Sequence, residues 1–119
     1  MELSIFGLLA LLFIKHWYID FAHQSREEIM GKVNYGDISG IIHSFKHGIG
    51  TVIVMLMSAV NWPSAVILGI LDFVTHYHID WLKMKYGAIV TKDDNFWNHL
   101  GLDQLAHYLV YLFIVWTLV

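Results

Sequence analysis

Asp72, His76 and Asp80 recur every four residues in the stretch DFVTHYHIDWLKMK, which puts them within about 80° of arc on one face of a helix. Lys83 falls on the same face, while His78 points roughly the opposite way. Imidazole and carboxylate groups suit a divalent metal, zinc first and then manganese, iron or nickel, and carboxylates can also bridge two ions or orient a histidine from behind. The surrounding residues are apolar, and ionisable groups in such a setting are costly to bury unpaired. The stripe therefore implies partners: other helices, water or a metal ion.

The same i, i+4 arrangement occurs three more times, as His16 and Asp20, His43 and His47, and Asp103 and His107. Each pair lies in an apolar segment of spanning length, and these segments cover 3–24, 37–60, 63–86 and 96–119. Between them the sequence predicts two polar loops, Ser25 to Gly36 and Gly87 to Asn95, and one tight turn at Asn61 and Trp62. Asp37 or Ser39 suits the cap of the second helix, and Pro63 the first position of the third. All seven basic residues lie in the two loops or in the helix ends beside them. That side should face the cytoplasm, with both termini outside. Counted at 1.5 Å per residue from the outer ends, all four pairs fall roughly 18–28 Å deep, in one layer near the cytoplasmic face. Asp72 lies one turn toward the middle.

Composition narrows the class. At 119 residues there is room for one domain. With 57% hydrophobic and 14% charged residues and a mean hydropathy of +0.57, the chain is too apolar for an ordinary soluble domain of this size. The fold class expected is all-α, a four-transmembrane-helix bundle with a His/Asp-lined polar layer. A net charge of −3 without a basic tail gives no support for nucleic acid binding. The absence of cysteine removes disulfides, thiolate zinc sites and cysteine nucleophiles. The first apolar run has neither the basic start nor the cleavage site of a secretory signal, so it reads as a retained span.

Each residue also has an ordinary reading. A single histidine in a span is often a hydrogen-bonded packing residue. Asp20 and Asp103 suit pairing with Lys15 or capping a helix end, and Lys46 and Lys83 suit snorkelling to headgroups. His23 and His99 fall near the interface, and Trp17, Trp62, Trp81 and Trp97 suit an interfacial belt. Coincidence of all four pairs in depth is what favours a shared site. Its candidate ligands are His16, Asp20, His43, His47, His76, Asp80, Asp103 and His107, enough for one or two ions held in the core of a bundle.

The segments KHWYIDFAHQ, IIHSFKH, DFVTHYHIDWLK and LDQLAHYL resemble, in that order, the His/Asp signature of a domain-of-unknown-function family of small membrane proteins of bacteria and phages. They are also distantly similar to inner-membrane metal-dependent hydrolases. The resemblance spans nearly all of the chain and implies roles for His16, Asp20 and Gln24, for His43 and His47, for His76 and Asp80, and for Asp103, Gln104 and His107. It implies no particular substrate.

The leading expectation is a hydrolase of the bacterial inner membrane, acting on a lipid, phosphoester or amide at the cytoplasmic side. A metal acidifies water for attack. Asp72 or Asp80 would accept the proton, and Lys83, Gln24 or Gln104 would steady charge on the substrate. A second reading is a bis-histidine haem electron carrier with His47 and His76 as axial ligands, which leaves the carboxylates without a function. A third is ion or proton passage along the stripe, in a homo-oligomer.

Overall fold

A computed structural model describes residues 4–87 and 94–119. The sequence-predicted start of the first span at Leu3, and Lys92 with most of the second loop, lie outside the described residues. The described residues are all-α, with five helices: α1 Ile5–Trp17, continued by a π-helical turn Tyr18–Ala22, α2 Arg26–Gly31, α3 Ile38–Met57, α4 Trp62–Gly87 and α5 Asp94–Thr117. Three segments, Ile5–Ala22, Ile38–Met57 and Trp97–Thr117, are long and apolar enough to cross a membrane. α4 is long enough but is not one of them, because the Asp72, His76 and Asp80 stripe, with Lys83 and Lys85 beyond it, lowers its hydropathy.

Local chemistry sets the ends. Ser4 caps α1 by accepting from Gly7 N at 3.1 Å, and Asp37 caps α3 by accepting from Ser39 N at 2.9 Å. Asn61 accepts from Ser64 N at 3.0 Å and so caps α4. Pro63 is thereby the second helical residue, not the first, a position where its missing N–H is equally harmless. The turn before it passes through Ala59, whose φ of 63° is left-handed.

Two departures from the sequence reading matter for the site. The first loop holds a helix: Ser25 and Glu28 form a reciprocal capping box at the start of α2. The first span also changes pitch at Tyr18 into a π turn, and Asp20 sits within that turn, buried like His16. Such turns re-aim side chains at little length cost.

The interior divides in two. Leu8, Leu12, Val54, Met55, Ala65, Leu68, Ile114 and Val115, with Tyr111 at the boundary, fill the half that contains the α3–α4 turn and the C-terminus. The other half is polar, while large apolar side chains such as Trp17, Trp62, Trp97 and Trp116 lie on the outside. α3 and α4 approach most closely at two glycines: a Cβ on Gly48 would stand 2.9 Å from Gly69 O, and one on Gly69 would stand 2.9 Å from Gly48 O. This contact, next to His47 and one turn from Asp72, lets the polar stripes of the two helices meet.

Candidate metal centre

All eight sequence-predicted ligands enter that polar half, each at 5% exposure or less. Asp20 is at its centre. Its Oδ1 lies 2.9 Å from His43 Nε2, 3.2 Å from His47 Nε2 and 3.5 Å from His76 Nε2. Its Oδ2 lies 3.3 Å from both His16 Nε2 and Gln104 Nε2. Among the described residues no lysine or arginine pairs with Asp20, so this buried carboxylate faces only imidazole rings and an amide. Among the described residues, three sets of donor atoms lie mutually within 4.8 Å: Asp20, His43, His47 and His76; His76, Asp80 and His107; and Asp20, Asp103 and His107. Shared members join them into one cluster fed by α1 with its π turn, α3, α4 and α5.

The histidines are oriented from behind. His43 Nδ1 faces Glu28 Oε2 at 3.2 Å, and a neutral ring that donates there would present its Nε2 lone pair toward Asp20 and His76. Glu28 is itself paired with Lys46. Burial raises the Glu28 pKa, but the Lys46 ammonium and then His43 outweigh it and hold the carboxyl below its ordinary range. His47 differs. Its Nδ1 lies 3.1 Å from Lys15 Nζ, and an ammonium only donates, so the His47 hydrogen sits at Nε2 and points to Asp20. His16 has both nitrogens engaged, Nδ1 with Tyr111 at 2.8 Å and Nε2 with Gln104 at 2.7 Å, and it belongs to none of the three sets. Rings of His47, His76 and His107 stack in sequence, with centroids 3.6 and 4.1 Å apart.

The lysines nearest the cluster each face a carboxylate. Lys15, 8% exposed, pairs with Asp72 at 2.8 Å and reaches Tyr111 at 3.0 Å, and does not pair with Asp20 as its neighbourhood in sequence suggested. Gly50 makes this possible, since a Cβ there would stand 2.8 Å from the lysine stem. Asp72 also accepts from Thr51 at 2.5 Å and joins none of the metal-competent sets. Lys32 pairs with Asp80 at 3.0 Å, both buried, and Lys83 stands 3.6 Å from Asp103. Lys46 turns to Glu28 instead of snorkelling. Gln24 donates to its own helix at Asp20 O.

His78 is exposed and meets Tyr35, as its facing implies. His23 is exposed against Tyr18.

Residues that sequence reasoning missed are Glu28, Lys32, Thr51 and Tyr111. A signal existed for each. Glu28 and Lys32 are another i, i+4 pair, and Thr51 and Tyr111 continue the four-residue stripes of His43–His47 and Asp103–His107.

The donor set fits a first-row divalent ion. Asp20 Oδ1, His43 Nε2 and His76 Nε2 are separated by 2.9, 3.3 and 3.5 Å, and bonds of 2.0–2.1 Å in a tetrahedral site imply ligand separations of roughly 3.3 Å. Asp80 Oδ2 has Lys32, His76 and His43 atoms at 3.0, 3.1 and 3.6 Å yet no aligned hydrogen bond. Asp103 Oδ1 likewise lies 3.3 Å from His107 Nε2 without alignment. These atoms converge on shared space more than on one another.

A family model described as DUF3307, a protein of unknown function, matches residues 8–119, and the chain belongs to that family. No curated protein and no solved structure matches it.

Proposed function

We propose that this DUF3307 member is a four-span membrane protein whose His/Asp cluster holds one or two divalent metal ions, zinc foremost, and hydrolyses a membrane-derived substrate at the cytoplasmic side. The observation that carries the metal is Asp20: a buried carboxylate surrounded by imidazole nitrogens, with no lysine or arginine paired to it among the described residues. One carboxylate oxygen accepts two hydrogen bonds through its two lone pairs, whereas three histidine nitrogens crowd Oδ1 here. His43, His76 and Asp20 would hold the ion, with Asp80 and His107 completing it or holding a second. His47, fixed by Lys15, would orient Asp20, and His16 would brace it through Gln104.

A bound divalent ion supplies Lewis acidity and acidifies water. The chain supplies the rest. Asp103, on the side where Lys83 and the cluster meet, would take the proton of the attacking water, and Lys83 and Gln104 would steady negative charge on the substrate. Asp72 is already engaged by Lys15 and Thr51, which favours a charge-balancing role over that of a base. Haem is disfavoured by geometry, because His47 and His76 rings in direct stacking leave no width for a porphyrin between them. Conduction is disfavoured by the apolar half of the core, which interrupts the polar column beyond Tyr111.

Two experiments test this reading. His76→Ala is expected to lose most bound metal, and His78→Ala, on the outer face, to keep it. Loss in His78→Ala with retention in His76→Ala would remove the site. Topology reporters test whether α4 spans: fusions after Val119 and before Ile5 should both report the outside, and one inserted near Gly31 the cytoplasm. Termini on opposite sides would mean that only the three more apolar helices cross.

A further inference from the structure

One flank of the cluster opens to a groove. Between α4 and α5 lies a cavity of about 250 Å³, and Asp103, a member of the metal-competent set with His107 and Asp20, forms part of its lining. Ile79, Leu102 and Ala106 make apolar walls, while Lys83 and His99 add polar groups. Lys83 keeps 23% of its side chain exposed and stands 3.6 Å from Asp103, too far for a tight ion pair. Its ammonium keeps donors for a second anion. The lysines on the other sides are buried against Asp72 and Asp80 or held by Glu28.

We propose that this α4–α5 groove is the substrate port, and that its occupant is a membrane amphiphile with a phosphate monoester headgroup; the assignment rests on the metal reading above. Charge complementarity selects the headgroup. A phosphate monoester carries three terminal oxygens, so one can meet the Lys83 ammonium while another would reach past Asp103 toward the ion that the cluster would hold. The apolar walls select a hydrocarbon chain, because a free anion gains nothing from Ile79, Leu102 and Ala106. Extraction from the bilayer would be sideways, between two helices, with the headgroup remaining at the polar layer.

The test uses the full-length protein in a neutral detergent, with monododecyl phosphate as the probe, titrated calorimetrically while metal content is measured on the same samples. Lys83→Gln is expected to weaken binding roughly tenfold, with Lys83→Arg restoring it. Ala106→Phe, which fills the groove, should abolish binding, with metal retained in all three variants. Inorganic phosphate and dodecanol should each bind far more weakly. Unchanged binding in both Lys83→Gln and Ala106→Phe would overturn the port. Equal binding of inorganic phosphate would overturn the amphiphile, and equal binding of dodecanoate would overturn the phosphate. Wild-type protein that lacks metal yet binds the probe through Lys83 would overturn the metal reading and leave the groove assignment standing.

Discussion

Asp20→Asn is expected to lower metal affinity by at least roughly a hundredfold, more than loss of an outer-sphere partner would. Asp20 alone presents one oxygen to three histidine nitrogens and the other to His16 and Gln104, so no neighbour replaces it. The same substitution should change sign with metal content. In metal-loaded protein, binding energy contributes to folding, and Asp20→Asn should melt lower than wild type. In metal-free protein, the wild-type carboxylate is buried with imidazole and amide groups as its partners among the described residues, and removing its charge relieves its desolvation cost. Metal-free Asp20→Asn should therefore melt at or above metal-free wild type. A purely structural His–Asp network, stabilised by protonated histidine, predicts destabilisation in both conditions.

Lys15→Met should be the most destabilising single change outside the ligands. It strips the ammonium from Asp72 while leaving that carboxylate 1% exposed, which costs about 3–5 kcal/mol when one partner of a buried pair is removed. It also takes a donor from Tyr111 and His47. Adding Asp72→Asn should recover most of the loss, since the amide still accepts from Thr51 and no charge remains. Thermal unfolding of the two single variants and the double variant in detergent measures the coupling. Additive losses would mean that Lys15 and Asp72 act independently.

The layer of four i, i+4 pairs was legible because helical periodicity alone fixes both facing and depth. His76 and His78 fell on opposite faces for that reason. What periodicity leaves open is the partner across the bundle. Lys15 and His16 are adjacent on α1, about 100° apart, and both point inward because Gly50 lets α3 accept the lysine stem. Neither that approach nor the Gly48–Gly69 contact can be read from one helix at a time. α2 was hidden for a different reason: at six residues it shows no amphipathic period, although Ser25 and Glu28 carried its capping box. The π turn at Asp20 has no residue signature at all. The span status of α4 shows the tension directly, since the groups that make the site also make that helix the least apolar long one.

The most direct measurement is metal analysis of the wild-type protein, purified without a histidine tag or chelator, followed by X-ray absorption at the edge of whatever metal is found. The account predicts at least one first-row divalent ion per chain, with nitrogen and oxygen neighbours at about 2.0–2.1 Å and the outer-shell scattering of two or more imidazole rings. Protein that stays folded and metal-free after incubation with each candidate ion, or a bound ion with no imidazole in its shell, would contradict it.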